Sequence, residues 1–156
     1  VVREGDPVFL EFGSAWHRYT APMMQTVVAG ARPSSEMQRV HDGCRRIVDT
    51  LLASARPGAT FDQAAQDAEK ALQPLAGKVF FSGVFGYTVG AQFPPSWVEG
   101  SGFIARGGNM EFRPGMVFHL PICLRVPGQW GIGCSETILV TEDGAEPITE
   151  NPWTLG

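Results

Sequence analysis

Charge is scarce in this chain. Only 18% of its 156 residues are Asp, Glu, Lys or Arg, against 44% hydrophobic ones. That balance excludes a disordered polypeptide, which needs high charge density and few apolar groups. The 12 basic side chains are outnumbered by 16 acidic ones, for a formal charge of −4. Such mild acidity argues against a nucleic-acid partner or a broad contact with an anionic membrane. Long apolar runs are also missing. None approaches the roughly 20 residues that a membrane span requires. The three cysteines, Cys44, Cys123 and Cys134, show no CxxC spacing, which argues against a dense disulfide framework and a Cys-rich zinc site. Reduced thiols in a cytoplasmic protein are the simplest reading, with a Cys123–Cys134 bridge left open because both fall on facing strands. The opening VVREGDPVFLEF has neither an initiator Met nor a charged-then-apolar leader pattern. It runs from a turn directly into a strand, so an earlier portion is expected to be missing.

Glycine and proline, by contrast, are abundant: 19 and 12 residues, about a fifth of the chain. Inside helices each would cost about 1 to 3 kcal/mol, so a helical bundle is disfavoured. The length suits one domain with a single sizeable core. Residues 7–12 read as a short apolar strand interrupted by Glu11, GSAWHRYTAP as a turn region, and MMQTVVAG as the returning strand. A helix begins at Ser34-Ser35-Glu36. Val40, Cys44, Ile47, Val48, Leu51 and Leu52 recur at three- and four-residue spacings as its apolar face, and Arg56-Pro57-Gly58 ends it. Thr60 with Gln63 is a capping box for a second helix, whose buried side is Phe61, Ala64, Ala65, Ala68, Ala71 and Leu72. From Gly77 onward β-type runs alternate with turns: VFFSGVFGYTVG, a long loop AQFPPSWVEGSGFIARGGNMEF, GMVFHLPICLRV, and CSETILVTEDG. The expected class is α+β, in one domain or a large part of one.

In order along the chain stand Gly5-Asp6 before a strand, Tyr19 through Gln25-Thr26 on the hairpin return, and Arg56-Pro57-Gly58 after a helix. Gly86-Tyr87-Thr88-Val89-Gly90, Pro114-Gly115-Met116-Val117-Phe118 and Ile138-Leu139-Val140-Thr141-Glu142-Asp143-Gly144 come after them. This succession resembles the creatinase, prolidase and methionine aminopeptidase superfamily, with its pita-bread fold. The resemblance implies a curved, mostly antiparallel sheet with helices on one face, and makes residues 1–156 the C-terminal portion of such a catalytic domain. Metallopeptidases of the superfamily hold two metal ions through two Asp, one His and two Glu. The matching positions here are Glu11, Pro22, Tyr87, Pro121 and Ser135. Proline has no side-chain donor atom, and neutral Tyr and Ser are poor ligands. The resemblance therefore implies a degenerate dinuclear site and no cofactor. It is closer still to the ectoine hydrolase group, through Arg18-Tyr19 with Pro22, Gly86-Tyr87 with Gly90, and Pro94-Pro95 with Trp97 and Glu99. Pro114-Gly115-Met116 with Phe118-His119, and Glu136-Thr137-Ile138-Leu139, complete that match. It departs at Gln25, where Arg is usual, and in the Gly-rich loop from Gly100 to Met110.

The resemblance implies a metal-independent hydrolase that opens a C–N bond of a small cyclic or amidine-like metabolite. Such chemistry needs a base or nucleophile, a proton donor for the leaving nitrogen, and groups that hold the substrate. Glu11, inside an apolar strand, is the candidate base or nucleophile; its plain alternative is an edge-strand Glu facing out. His119 is the candidate proton shuttle and Tyr87 the phenolic donor; each could equally be a satisfied core group. Glu136 is expected to meet a cationic nitrogen or orient His119, Arg18 to bind a carboxylate, and Trp97, with Phe93 and Pro94-Pro95, to form an apolar wall. The bland readings are a surface salt bridge, a solvated turn and loop packing. His41 reads as surface or interface, and Met23 and Met24 as core filling. A homodimer, and association with the missing N-terminal portion, are the expected protein contacts. Two rival functions stand beside this one: an Xaa-Pro peptidase of the same superfamily, and a non-catalytic binding or scaffolding relative.

Overall fold

The computed structural model describes residues 1–92 and 96–156. Two antiparallel strands open the chain, β1 (Pro7–Trp16) and β2 (Tyr19–Val28). They run four residues beyond the expected strand end at Phe12, because cross-strand pairing continues to Trp16 opposite Tyr19. Only His17 and Arg18 are left for the turn, both at positive φ (47° and 73°). A two-residue hairpin connection demands that left-handed geometry to match the strand twist.

Helix α1 (Ser35–Ser54) starts where Ser34 accepts a hydrogen bond from the Met37 amide, and α2 (Phe61–Leu72) at the reciprocal Thr60–Gln63 capping box. Thr60→Ala should therefore cost about 1 kcal/mol, read as a lowered urea midpoint with an unchanged slope. The two apolar faces meet each other and the sheets. Val40, Cys44, Ile47, Val48 and Leu51 of α1 and Phe61, Ala64, Ala65 and Ala68 of α2 are buried. His41 is buried as well, at 1% exposure, which corrects its assignment to the surface. It stands three and seven residues before Cys44 and Val48 on the buried stripe, and the Trp153 ring lies 6.1 Å from the imidazole.

The second half forms β3 (Val84–Thr88), β4 (Phe103–Ala105), β5 (Val117–His119), β6 (Ile122–Val126), β7 (Trp130–Cys134), β8 (Thr137–Val140) and β9 (Ala145–Pro147). Five of them make a sheet in the order β4-β3-β5-β8-β9, while β6 and β7 pair separately. Every strand pairing among the described residues is antiparallel. Strand β4 falls inside the stretch expected to be a loop. The run GMVFHLPICLRV, expected as one strand, is split at Leu120-Pro121 into strands of different sheets; proline has no N–H to continue a ladder. The core centres on Phe118, whose ring stands 5.3 Å from both Phe61 and Phe112.

Cys123 lies opposite Gly133, and Cys134 opposite Ile122. Neighbouring positions on a pleated pair face opposite sides, so the β6–β7 register separates the two thiols. All three cysteines are free. No helix of the described residues is long and apolar enough to cross a membrane.

Candidate active site

Register decides which side chains meet. Tyr87 of β3 pairs with His119 of β5, which pairs in turn with Thr137 of β8. Tyr87 Oη lies 2.8 Å from His119 Nδ1, and His119 Nε2 lies 2.7 Å from Ser135 Oγ. The Trp97 indole donates to Tyr87 Oη at 3.1 Å, and the Met24 amide donates to Ser135 Oγ at 2.7 Å. Five elements are thus tied into one polar chain: the loop holding Trp97, β3, β5, the segment after β7, and β2. Two glycines make room for it. A Cβ at Gly86 would come within 2.7 Å of Leu120 and 3.1 Å of the His119 carbonyl oxygen; one at Gly13 would come within 3.0 Å of the Trp97 ring.

Glu11 enters from β1, opposite Met24. The residue as a whole is exposed, yet its carboxyl end is desolvated enough by the surrounding protein to raise its pKa. Glu11 shares its strand face with Phe9 and Gly13, which approach Gly133 and the Trp97 ring, and its charge acts on both Tyr87 and Cys123. Burial, joined by that charge and opposed by the Trp97 hydrogen bond, pushes the Tyr87 phenol up. Tyr87 is therefore a protonated donor at neutral pH. His119 behaves differently from the expected shuttle. Fully buried, it is pushed down to about 3, so the imidazole stays neutral and passes hydrogen bonds rather than charge.

Two expected substrate contacts lie elsewhere. Glu136 is adjacent to Ser135 but points to the opposite side, toward the chain end. It accepts from Thr149 Oγ1, from the Asn151 amide at 3.0 Å and from Trp153 Nε1 at 3.1 Å. Its carboxylate is a strut for residues 149–153 and does not orient His119. Arg18 sits at the tip of the β1–β2 hairpin. At about 3.3 Å of rise per strand residue, the tip lies roughly 17 Å along β1 from Glu11, and among the described residues no hydrogen bond joins Arg18 to the polar chain. Trp97 is half-buried and reaches Tyr87 through its indole N–H, whereas Phe93, Pro94 and Pro95 lie outside the described residues. Ser135, expected only as a lost ligand, is a full member of the polar chain. Its adjacency to Glu136 in sequence conceals which of the two faces the site.

The model of metallopeptidase family M24 matches residues 1–142. The chain belongs to this family. Among curated M24-like relatives, ectoine hydrolase of Halomonas elongata is 33% identical over 98% of the chain, and the probable dipeptidase PepE of Mycobacterium tuberculosis 26% identical over 99%. The chain spans only 38% and 40% of those two proteins. The solved dipeptidase PepE of Mycobacterium ulcerans superposes with a TM-score of 0.86 at 25% identity, over 98% of this chain and 40% of that one. Prolidase from Pyrococcus furiosus superposes at 0.84 over 95% and 42%; its 22% identity speaks for the fold alone. The pita-bread architecture expected of the sequence is thus the architecture found.

An M24 chain raises the question of metal, and the donor set answers it poorly. Of the five positions that match the ligands, only Glu11 supplies a carboxylate. Tyr87 and Ser135 are committed to His119 and the Met24 amide, and the Pro22 carbonyl accepts from Thr137 Oγ1 at 2.6 Å. No group of three or more His, Cys, Asp or Glu among the described residues could hold a metal ion. The residues present do not fit a dinuclear centre.

Proposed function

We propose that this M24 chain carries a metal-independent hydrolase site of the ectoine hydrolase type, which opens a C–N bond in a small cyclic amidine. The observation that carries the reading is a partly desolvated carboxylate, Glu11, on the strand face that meets Trp97, the indole partner of the protonated phenol Tyr87, where a metallopeptidase would need ligands. In the proposed reaction Glu11 takes a proton from a water molecule as its oxygen bonds to the amidine carbon. Tyr87 gives its proton to the ring nitrogen as the C–N bond breaks. The proton on the added oxygen passes to the freed amine as the amide carbonyl forms, Glu11 returns its proton to the Tyr87 phenolate, and the ring-opened product, carrying both the amide and the ammonium group, leaves. Trp97 and His119 act on Tyr87, and neither needs to change charge.

The likeness to ectoine hydrolase and the mismatched donor set support this substrate class over peptides. The test is to incubate the protein with ectoine and with Xaa-Pro dipeptides, with and without a chelator, and to measure bound metals by elemental analysis. Ectoine opening that resists the chelator is expected, without stoichiometric metal. Dipeptide cleavage that follows two bound transition metals would overturn the reading, as would a lack of turnover on every substrate.

A further inference from the structure

Hydrogen positions in the polar chain are fixed by counting donors. Trp97 Nε1 can only donate, so Tyr87 Oη accepts from it. The Met24 amide can only donate, so Ser135 Oγ accepts from it. A neutral imidazole carries one hydrogen, on Nδ1 or on Nε2. If it sat on Nε2, His119 would donate to Ser135, and the Ser135 hydroxyl hydrogen would have no acceptor among the described residues. Ser135 is fully buried, and a buried donor left unpaired is the costly case. With the hydrogen on Nδ1, Ser135 donates to Nε2 (2.7 Å) and His119 donates to Tyr87 Oη (2.8 Å). Within the polar chain, the one hydroxyl hydrogen without a partner among the described residues then belongs to Tyr87, which is half-buried and whose indole partner Trp97 meets the strand face that carries Glu11.

We infer that Ser135 is a positioning residue: it holds His119 in the Nδ1-protonated form and so keeps the Tyr87 hydroxyl hydrogen free for a molecule bound against Glu11. The phenol oxygen then accepts two N–H donors, from Trp97 and His119, before any proton leaves it. Hydrogen bonds to an anionic form favour that form, so the phenolate left after proton donation is already solvated by the protein. In the other tautomer Tyr87 would give its hydrogen to His119, and the site would present no donor. The inference rests on the reading of Tyr87 as the proton donor, but its test does not depend on turnover.

The experiment is the nitrogen-15 imidazole spectrum of the protein. The chain has three histidines, His17, His41 and His119, and a His119→Gln sample identifies the His119 signals by their loss. A proton on Nδ1 at neutral pH is expected, and a proton on Nε2 would overturn the inference outright. Ser135→Ala leaves Nε2 without a partner in either form and removes the penalty of a stranded hydroxyl hydrogen, so the excess of the Nδ1 form should shrink several-fold, and Ser135→Thr should restore it. An unchanged ratio in a folded Ser135→Ala protein would make Ser135 merely structural. Should that variant fail to fold, the unmodified protein still decides the tautomer. An Nδ1 proton without ectoine turnover would sink the proposed reaction and leave the hydrogen-bond assignment standing.

Discussion

Glu11→Gln is expected to lower kcat for ectoine opening by about 10²- to 10⁴-fold, the range for loss of a positioned acid or base. Substrate affinity, measured by calorimetry, should change little, because the amide keeps the size and polarity of the carboxylate. The pH dependence has a definite sign. Glu11 must be ionised to accept a proton, and partial desolvation raises its pKa. Activity should therefore fall on the acid side at a higher pH than an ordinary glutamate, about 4.3, would give, and Glu11→Gln should abolish that limb. Turnover by Glu11→Gln within a few-fold of the parent would remove Glu11 from the mechanism.

The largest effect on stability is expected at Phe118. Its side chain is fully buried and completes the triangle with Phe61 and Phe112 that joins helix α2 to the central sheet. Phe118→Ala should cost about 3 to 5 kcal/mol through lost burial and the cavity left behind, measured by urea unfolding. Phe12→Ala is the matched control. That ring is 64% exposed on β1, and its loss should change stability by no more than about 0.5 kcal/mol. Equal effects at the two positions would mean that the aromatic triangle is not the centre of the core.

Legibility in the sequence tracks the locality of the cause. The Thr60–Gln63 capping box and the α1 stripe depend on residues three and four apart, and both elements appear where their patterns lie. The family order of turns and strands is likewise readable, because each signal is a short run with its own punctuation. Failures come where distant segments decide. His41 reads as surface or interface from its polar ring alone, whereas it packs against Trp153, more than a hundred residues away. Glu136 reads as available because nothing local reveals that Thr149, Asn151 and Trp153 converge on it. Within the site, Tyr87 and His119 can be named individually. Their shared hydrogen bond depends on the β3–β5 register, and the Trp97 contact on the path of a long loop.

The polar chain through Tyr87, His119 and Ser135 also limits which side chains position 135 can hold. Suppose a carboxylate replaced Ser135 alone. It would stand in a fully buried position, sever the bond that Ser135 gives His119, and bring a second negative charge into the neighbourhood of Glu11 without a cation to offset it. Burying such an uncompensated charge is strongly destabilising, and the Tyr87 and Pro22 positions would still lack ligands. That single step toward a metal centre is therefore worse than the present arrangement, and the contacts that hold His119 and Tyr87 keep position 135 neutral.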